Sequence, residues 1–278
     1  MAFILGIYEE LIASIRMIGR SAFWRPLLRG RIPTALEAIN WKFLLSVGSG
    51  ILLAILTLAR LLEHLLATRP VLVWSFFFGL VLASVIVVAR RIKQWSAVTW
   101  ILIVSAAIGA WFLVGLVPLQ TPSEWWFFLL SGSLAICAMI LPGISGAFIL
   151  LLLGKYQEVL SAVNHHDLIT IGWVLIGAVV GLVVFAQVLG WLFEHYHDLT
   201  VAALTGLMIG SLRKIWPWKV DVAWIIDRHG AKLPTVQTNV LPAMNVELMI
   251  AIGLAIIGMV VVIILEKMAE IEPHPENA

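Results

Sequence analysis

Charge is what this sequence has least of. Only 12% of its 278 residues are Asp, Glu, Lys or Arg, against 62% hydrophobic. A soluble domain carries about 25% charged residues. The deficit excludes an ordinary water-facing surface, so lipid must replace water around much of the chain. The formal net charge of +2 is too small for a nucleic-acid partner. Cysteine is nearly absent: the lone Cys137 lies in an apolar run, so no intrachain disulfide can form and redox chemistry is not indicated. The longest polar stretch, 213–245, is too short for a soluble domain; it is predicted to be a surface loop with an interfacial helix. The N-terminus has neither the charged n-region nor the small-residue cleavage site of a signal peptide.

Long apolar runs are what the sequence does have. Several reach the ~20 residues needed to cross about 30 Å of hydrocarbon. Spans are predicted at 42–66, 71–89, 98–117, 168–194, 199–213 and 246–266. The expected fold is an all-α polytopic membrane protein, a single transmembrane domain over 1–278.

Within it the sequence nearly repeats itself. Leu5-Gly6-Ile7-Tyr8-Glu9-Glu10 is echoed by Leu153-Gly154-Lys155-Tyr156-Gln157-Glu158. Leu61-Leu62-Glu63-His64 is echoed by Leu192-Phe193-Glu194-His195, and the run from Gly79 to Val85 by that from Gly206 to Leu212. The echoes keep their order, which predicts a first repeat over 1–117, incomplete at its N-terminus, and a second over 125–266. Internal repeats in apolar sequence are a signature of secondary transporters.

Residues 125–141 and 147–163 flank Leu141-Pro142-Gly143-Ile144-Ser145-Gly146. Each arm is about 24 Å long at ~1.5 Å per residue, marginal for a span. Pro and two Gly between them break a helix. A re-entrant helical hairpin is the reading adopted; two short spans joined by a surface turn is the alternative. Freed backbone at such a tip survives only if buried in protein or lining a wet cavity. An odd number of crossings then separates the echoes in either case, so the repeats are inverted. Arg16, Arg20, Arg25, Arg29, Arg31 and Lys42, with Arg90, Arg91 and Lys93, place one face in the cytoplasm by the positive-inside rule.

The chemistry-bearing candidates follow from these elements. Pro142, Gly143, Ser145 and Gly146 combine a permissive turn with the N-terminus of the next helix, where free N–H groups and the dipole favour anions. A helix-breaking turn with Ser145 as plain N-cap reads the same residues structurally. Arg60 and Lys155 lie in apolar surroundings, where charge marks a functional candidate; Arg60 could equally snorkel beside Glu63. Gly6, Tyr8, Gly154 and Tyr156 belong to the repeated segment, as do Glu10 and Glu158. Those two carboxylates, with Glu63-His64 and Glu194-His195, are candidates for proton coupling; structural hydrogen bonds and headgroup contact are the alternatives. His165-His166-Asp167 and His195-Tyr196-His197-Asp198 sit on opposite faces in this topology, and no metal site or cofactor is expected.

The stretch PGISGAFILLLLGKYQEVL from Pro142 to Leu160, with FILGIYEELI at the start, resembles the bacterial polyprenyl-phosphate transporter family over essentially the whole chain. The resemblance implies a plasma-membrane protein with inverted repeats that returns undecaprenyl phosphate to the cytoplasmic leaflet for reuse in cell-wall polymer synthesis. That family also carries a Pro-Gly-x-Ser-Gly-Gly turn before its first Leu-Gly-x-Tyr; aligned on Leu5 and Leu153, that copy would fall before Met1. The implied activity is a non-enzymatic flippase acting on a polyprenyl phosphate lipid, in the bacterial inner membrane, with a homo-oligomer allowed. Two rivals are open. Gly143-Ile144-Ser145-Gly146 matches the Gly-x-Ser-Gly of a rhomboid-type intramembrane serine protease, which would need a histidine at similar depth. A channel or transporter for another anion is the other.

Overall fold

The computed structural model of the protein describes residues 7–116, 121–226 and 232–271, apart from 31, 32, 35, 37 and 38. Two short helices open it, α1 (Tyr8–Ile18) and α2 (Ser21–Leu28). The apolar runs become α3 (Trp41–Thr68), α4 (Pro70–Ala89) and α5 (Ala97–Leu113), then α6 (Trp125–Ile140), α7 (Gly146–Leu152) and α8 (Tyr156–Asn164), and finally α9 (Leu168–Ser211) and α10 (Val246–Ile271). Four of them, α3, α4, α9 and α10, are long and apolar enough to cross a membrane. The chain is a multi-pass, predominantly helical membrane protein.

Boundaries follow local chemistry. Pro70 opens α4, where its missing N–H costs nothing. Ser96 caps α5 by accepting from the amide of Thr99. Asp167 caps α9, accepting from the amides of Ile169 and Thr170. The hydrogen bonds from Thr170, side chain first, hold the Asp167 carboxyl below its usual range. The spans expected at 168–194 and 199–213 are one helix interrupted at Tyr196, whose φ of −137° and ψ of 47° are not helical. Just past this break, the Asp198 carboxylate accepts from the amides of Lys93 and Gln94, tying it to the α4–α5 loop.

The echoed glycines have a shared use. A Cβ on Gly79 would stand 1.9 Å from the carbonyl oxygen of Ala255, so α4 lies directly on the α10 backbone. A Cβ on Gly206 would stand 2.4 Å from the carbonyl oxygen of Ile103, so the second arm of α9 lies as closely on α5. Close approach through small residues is how lipid-immersed helices gain packing without a hydrophobic drive. In each pair the partners run in the same sense: Arg90 meets Glu266 beyond Gly79 and Ala255, and Gly210 meets Ala107 beyond Gly206 and Ile103. A buried core of Tyr8, Ile12, Val88, Ile103, Leu189 and Met208 joins α1, α4, α5 and both arms of α9. By contrast, none of the 28 residues of α3 is buried.

Two expectations need correction. The returning arm at 147–163 is not one helix but α7 and α8, bent by 110°. The 213–245 segment carries no interfacial helix among its described residues; instead β1 (Lys219–Ile226) pairs antiparallel with β2 (Lys232–Asn239). The valines of Lys219-Val220-Asp221-Val222 favour extended backbone, and Val220 and Val222 stand exposed while Lys219 is half-buried.

Candidate functional site

The turn between α6 and α7 is built for close approach. Gly143 has a φ of 92°, a region an L side chain rarely adopts. A Cβ there would stand 2.4 Å from the Oγ of Ser211 at the end of α9. Ser211 is buried and its hydroxyl donates to the carbonyl of Met208 at 2.7 Å. The turn is thus pressed on α9 by its glycine, while Gly143 and Ser145 remain exposed on the other side and Pro142 half-exposed. Gly146 is buried against α6, where a Cβ would meet the carbonyl of Ala135 at 2.6 Å. Ser145 precedes α7 in extended conformation and makes no side-chain cap hydrogen bond. The first amides of α7 are therefore open to an external acceptor. With only seven residues, α7 offers those amides rather than a large dipole.

Tyr8 arrives at this turn from the other half of the chain. It is 5% exposed, and its hydroxyl donates to the carbonyl of Ile140 at 3.1 Å. Ile140 is the last residue of α6, where carbonyls lack helical partners. Among the described residues, the predicted Pro142, Gly143, Ser145, Gly146 and Tyr8 therefore come together. Gly6 lies outside the described residues.

A second group gathers at the opposite end of α6. Gly154, with a φ of 67°, ends α7: its amide donates to Leu151 and that of Lys155 to Leu150, the paired bonds of a Schellman cap. Lys155 is 1% exposed. Its ammonium donates to the carbonyl of Thr121 at 3.3 Å, the hydroxyl of Ser123 at 3.1 Å and the carboxylate of Glu158 at 2.5 Å. It also lies 5.2 Å from the ring centre of Phe128. All three N–H donors of the ammonium are engaged. Tyr156, half-buried, opens α8. Along α6 this group is about 18 Å from the turn, twelve residues at ~1.5 Å.

The remaining candidates lie elsewhere. Arg60, Glu63 and His64 are exposed on α3. Glu10 accepts from the side-chain amide of Asn40 at 2.8 Å. Glu194 pairs with Arg16, and Arg16 also donates to Gln187. His195 stacks on Trp191 and contacts its carbonyl. Glu9, His197 and Asp198 form a chain beside the Tyr196 break. Sequence reasoning passed over Ser211 as a wall of the turn. Its one signal was the echo that aligns it with Ser84.

The model of a family described as undecaprenyl phosphate translocase-like matches residues 1–233. The chain belongs to that family. It is 41% identical over 277 residues to a polyprenyl-phosphate transporter of Vibrio cholerae, covering 97% of this chain and 90% of that one. It is 28% identical over 200 residues to a polyprenyl-phosphate transporter of Staphylococcus aureus, covering 64% of this chain and 69% of that one. No solved structure matches. In this chain the turn from Leu141 to Gly146 is walled by Ser211, held through Tyr8 at Ile140, and exposed at Gly143 and Ser145.

Proposed function

We infer that this protein moves undecaprenyl phosphate, a polyprenyl phosphate lipid, between the leaflets of the bacterial inner membrane for reuse in cell-wall polymer synthesis. A phosphate head does not cross hydrocarbon unaided, because an unpaired charge there is prohibitively costly. The prenyl tail can stay in lipid throughout, so the protein need supply only a polar path along its flank. The observation that carries the reading is the α6–α7 turn. It is pinned by Gly143 against Ser211 and by Tyr8 at Ile140, with Ser145 exposed.

In this reading Gly143, Ser145 and Gly146 offer amides and a hydroxyl to the phosphate, and Pro142 fixes the turn. Tyr8 holds the end of α6 in place. Lys155 and Glu158, with Gly154 and Tyr156, brace the base of the hairpin. Residues 1–117 and 125–266 act as two repeats of opposed direction; the like use of Gly79 and Gly206 supports this. The proton-coupling role falls to Glu194, two residues before the Tyr196 break, and to Glu10; both already hold polar partners. Glu63, His64 and Arg60, at the lipid-facing α3, would meet headgroups.

A transporter rather than an enzyme is the reading adopted. A serine nucleophile needs a base in hydrogen-bond reach, and among the described residues no histidine hydrogen-bonds Ser145. Reconstitution tests the proposal. The full chain in vesicles should speed the exposure of labelled undecaprenyl phosphate to the opposite leaflet. Rates equal to protein-free vesicles would refute it.

A further inference from the structure

A cluster of cations gathers beside the turn. Arg213, Lys214 and Lys219 line a cavity of about 350 Å³ with Phe148 and Asn239. Each cation lies over an aromatic face. The guanidinium of Arg213 is 4.9 Å from the ring centre of Trp111, the ammonium of Lys214 4.8 Å from Phe148, and that of Lys219 4.3 Å from Trp74. Among the described residues no carboxylate lines the cavity; Asp221, beyond Lys219, is exposed and hydrogen-bonded to Gln237. Partly buried cations gathered without a lining counter-charge are costly, and an arriving anion relieves the cost. Burial pushes both ammonium groups down, Lys219 to about 8.

The cavity has an apolar neighbour. A second space of about 430 Å³, walled by Phe78, Ile209, Leu212, Trp216 and Leu241, shares Trp111, Arg213 and Asn239 with it. Cationic and apolar chambers therefore meet at Arg213. They also adjoin the turn: Arg213 follows Ser211 by two residues, and Phe148 follows Gly146 by two.

We propose that Arg213, Lys214 and Lys219 form a receiving site for a phosphate monoester borne on a long apolar chain, whose first prenyl units occupy the adjoining chamber. The site lies on the membrane face that carries the β-ribbon and hands the phosphate to the amides of the α6–α7 turn. This rests on the lipid-phosphate reading above and adds to it a place of capture. Arg213 donates once, to the carbonyl of Trp111 at 2.8 Å, which leaves donors of its fork for phosphate oxygens. The ammonium of Lys219 spends one donor on the carbonyl of Lys214 at 2.5 Å.

The test uses the wild-type full chain in phosphatidylcholine vesicles with a polyprenyl phosphate that carries a photoreactive group near its phosphate. Covalent attachment is expected within 213–219 and at Trp111 or Asn239. It should be undiminished by free polyprenol or by inorganic phosphate at equal concentration. Lys214→Gln and Lys219→Gln should each weaken lipid binding about tenfold, the loss of one charge-assisted contact, while Lys214→Arg and Lys219→Arg should bind as wild type. Attachment confined to 141–146 with unchanged affinity in the Gln variants would overturn the site and leave the transport reading standing. Competition by inorganic phosphate at equal concentration would assign the cavity to the free ion and overturn the lipid assignment. A wild-type protein that moves lipid no faster than bare vesicles would instead remove the transport reading itself.

Discussion

The hydroxyl of Tyr8 donates to the carbonyl of Ile140, 132 residues further along the chain. One side chain of the first half thereby closes an open carbonyl at the end of a second-half helix. Tyr8→Phe keeps the ring against Phe193 but leaves that carbonyl unpaired, which costs about 1–3 kcal/mol. Thermal unfolding in detergent should show a lower midpoint, and lipid transfer should slow because the turn loses its anchor. An unchanged midpoint and unchanged transfer would mean that the contact is incidental.

Gly143 sits at a φ of 92° with Ser211 where its Cβ would be. Gly143→Ala should therefore abolish transfer in the vesicle assay. Adding Ser211→Gly removes the clash but not the backbone strain, about 1 kcal/mol for a left-handed residue. Partial recovery in the double variant is the expected result; full transfer in Gly143→Ala alone would show that the turn tolerates a side chain.

Lys155 and Glu158 should separate brace from binder. Lys155→Met leaves the carbonyl of Thr121 and the hydroxyl of Ser123 without the ammonium, a loss of about 1–3 kcal/mol. The thermal midpoint should fall while affinity for polyprenyl phosphate in the folded fraction stays within twofold. A large drop in affinity at unchanged stability would place Lys155 on the phosphate instead.

Lys219 sets a pH limit on capture. Its ammonium is pushed to about 8 by burial first and by Lys214 second, with Asp221 opposing; Arg213 lines the same cavity. Free Lys219 is charged below that value, so lipid-phosphate affinity should fall as pH rises through about 8. The second ionisation of a phosphate ester, near pH ~6, should raise affinity as pH climbs through it. Stability moves the other way from affinity: a lysine whose folded value is depressed penalises the fold fully below about 8, and the penalty fades as pH rises from there towards the ordinary lysine value of about 10.4. Lys219→Arg should flatten the upper limb of the binding profile, and a profile unchanged by it would exclude Lys219 from the site.

The four long apolar helices were legible because apolar run length is a coarse, local signal, whereas the run expected at 98–117 forms a helix of only 17 residues. The turn at 141–146 was legible for the same reason, since Pro142 and Gly143 interrupt an otherwise continuous run. Gly154 was harder. Leu-Gly-Lys-Tyr reads as helix interior, and only its positive φ shows that the arm divides there. Lys155 looked like a free charge because Thr121 and Ser123, which hold it, lie more than thirty residues earlier in sequence with no periodic relation to it. The pairing of Arg16 with Glu194, 178 residues apart, is hidden for the same reason. The β-ribbon was missed because Pro234 and a short polar alternation are weak strand signals. The meeting of Tyr8 with the second-half turn needed the tertiary fold, although the repeat already implied that the halves are counterparts.

The isolation of α3 has a mechanical corollary. A 28-residue rod with no buried residue is held at its ends, by Asn40 on Glu10 and by the chain running directly into Pro70. Its inclination is then governed by bilayer thickness rather than by side-chain interlock, so a thinner membrane would lean this rod over while the seam between α4 and α10 kept its shape.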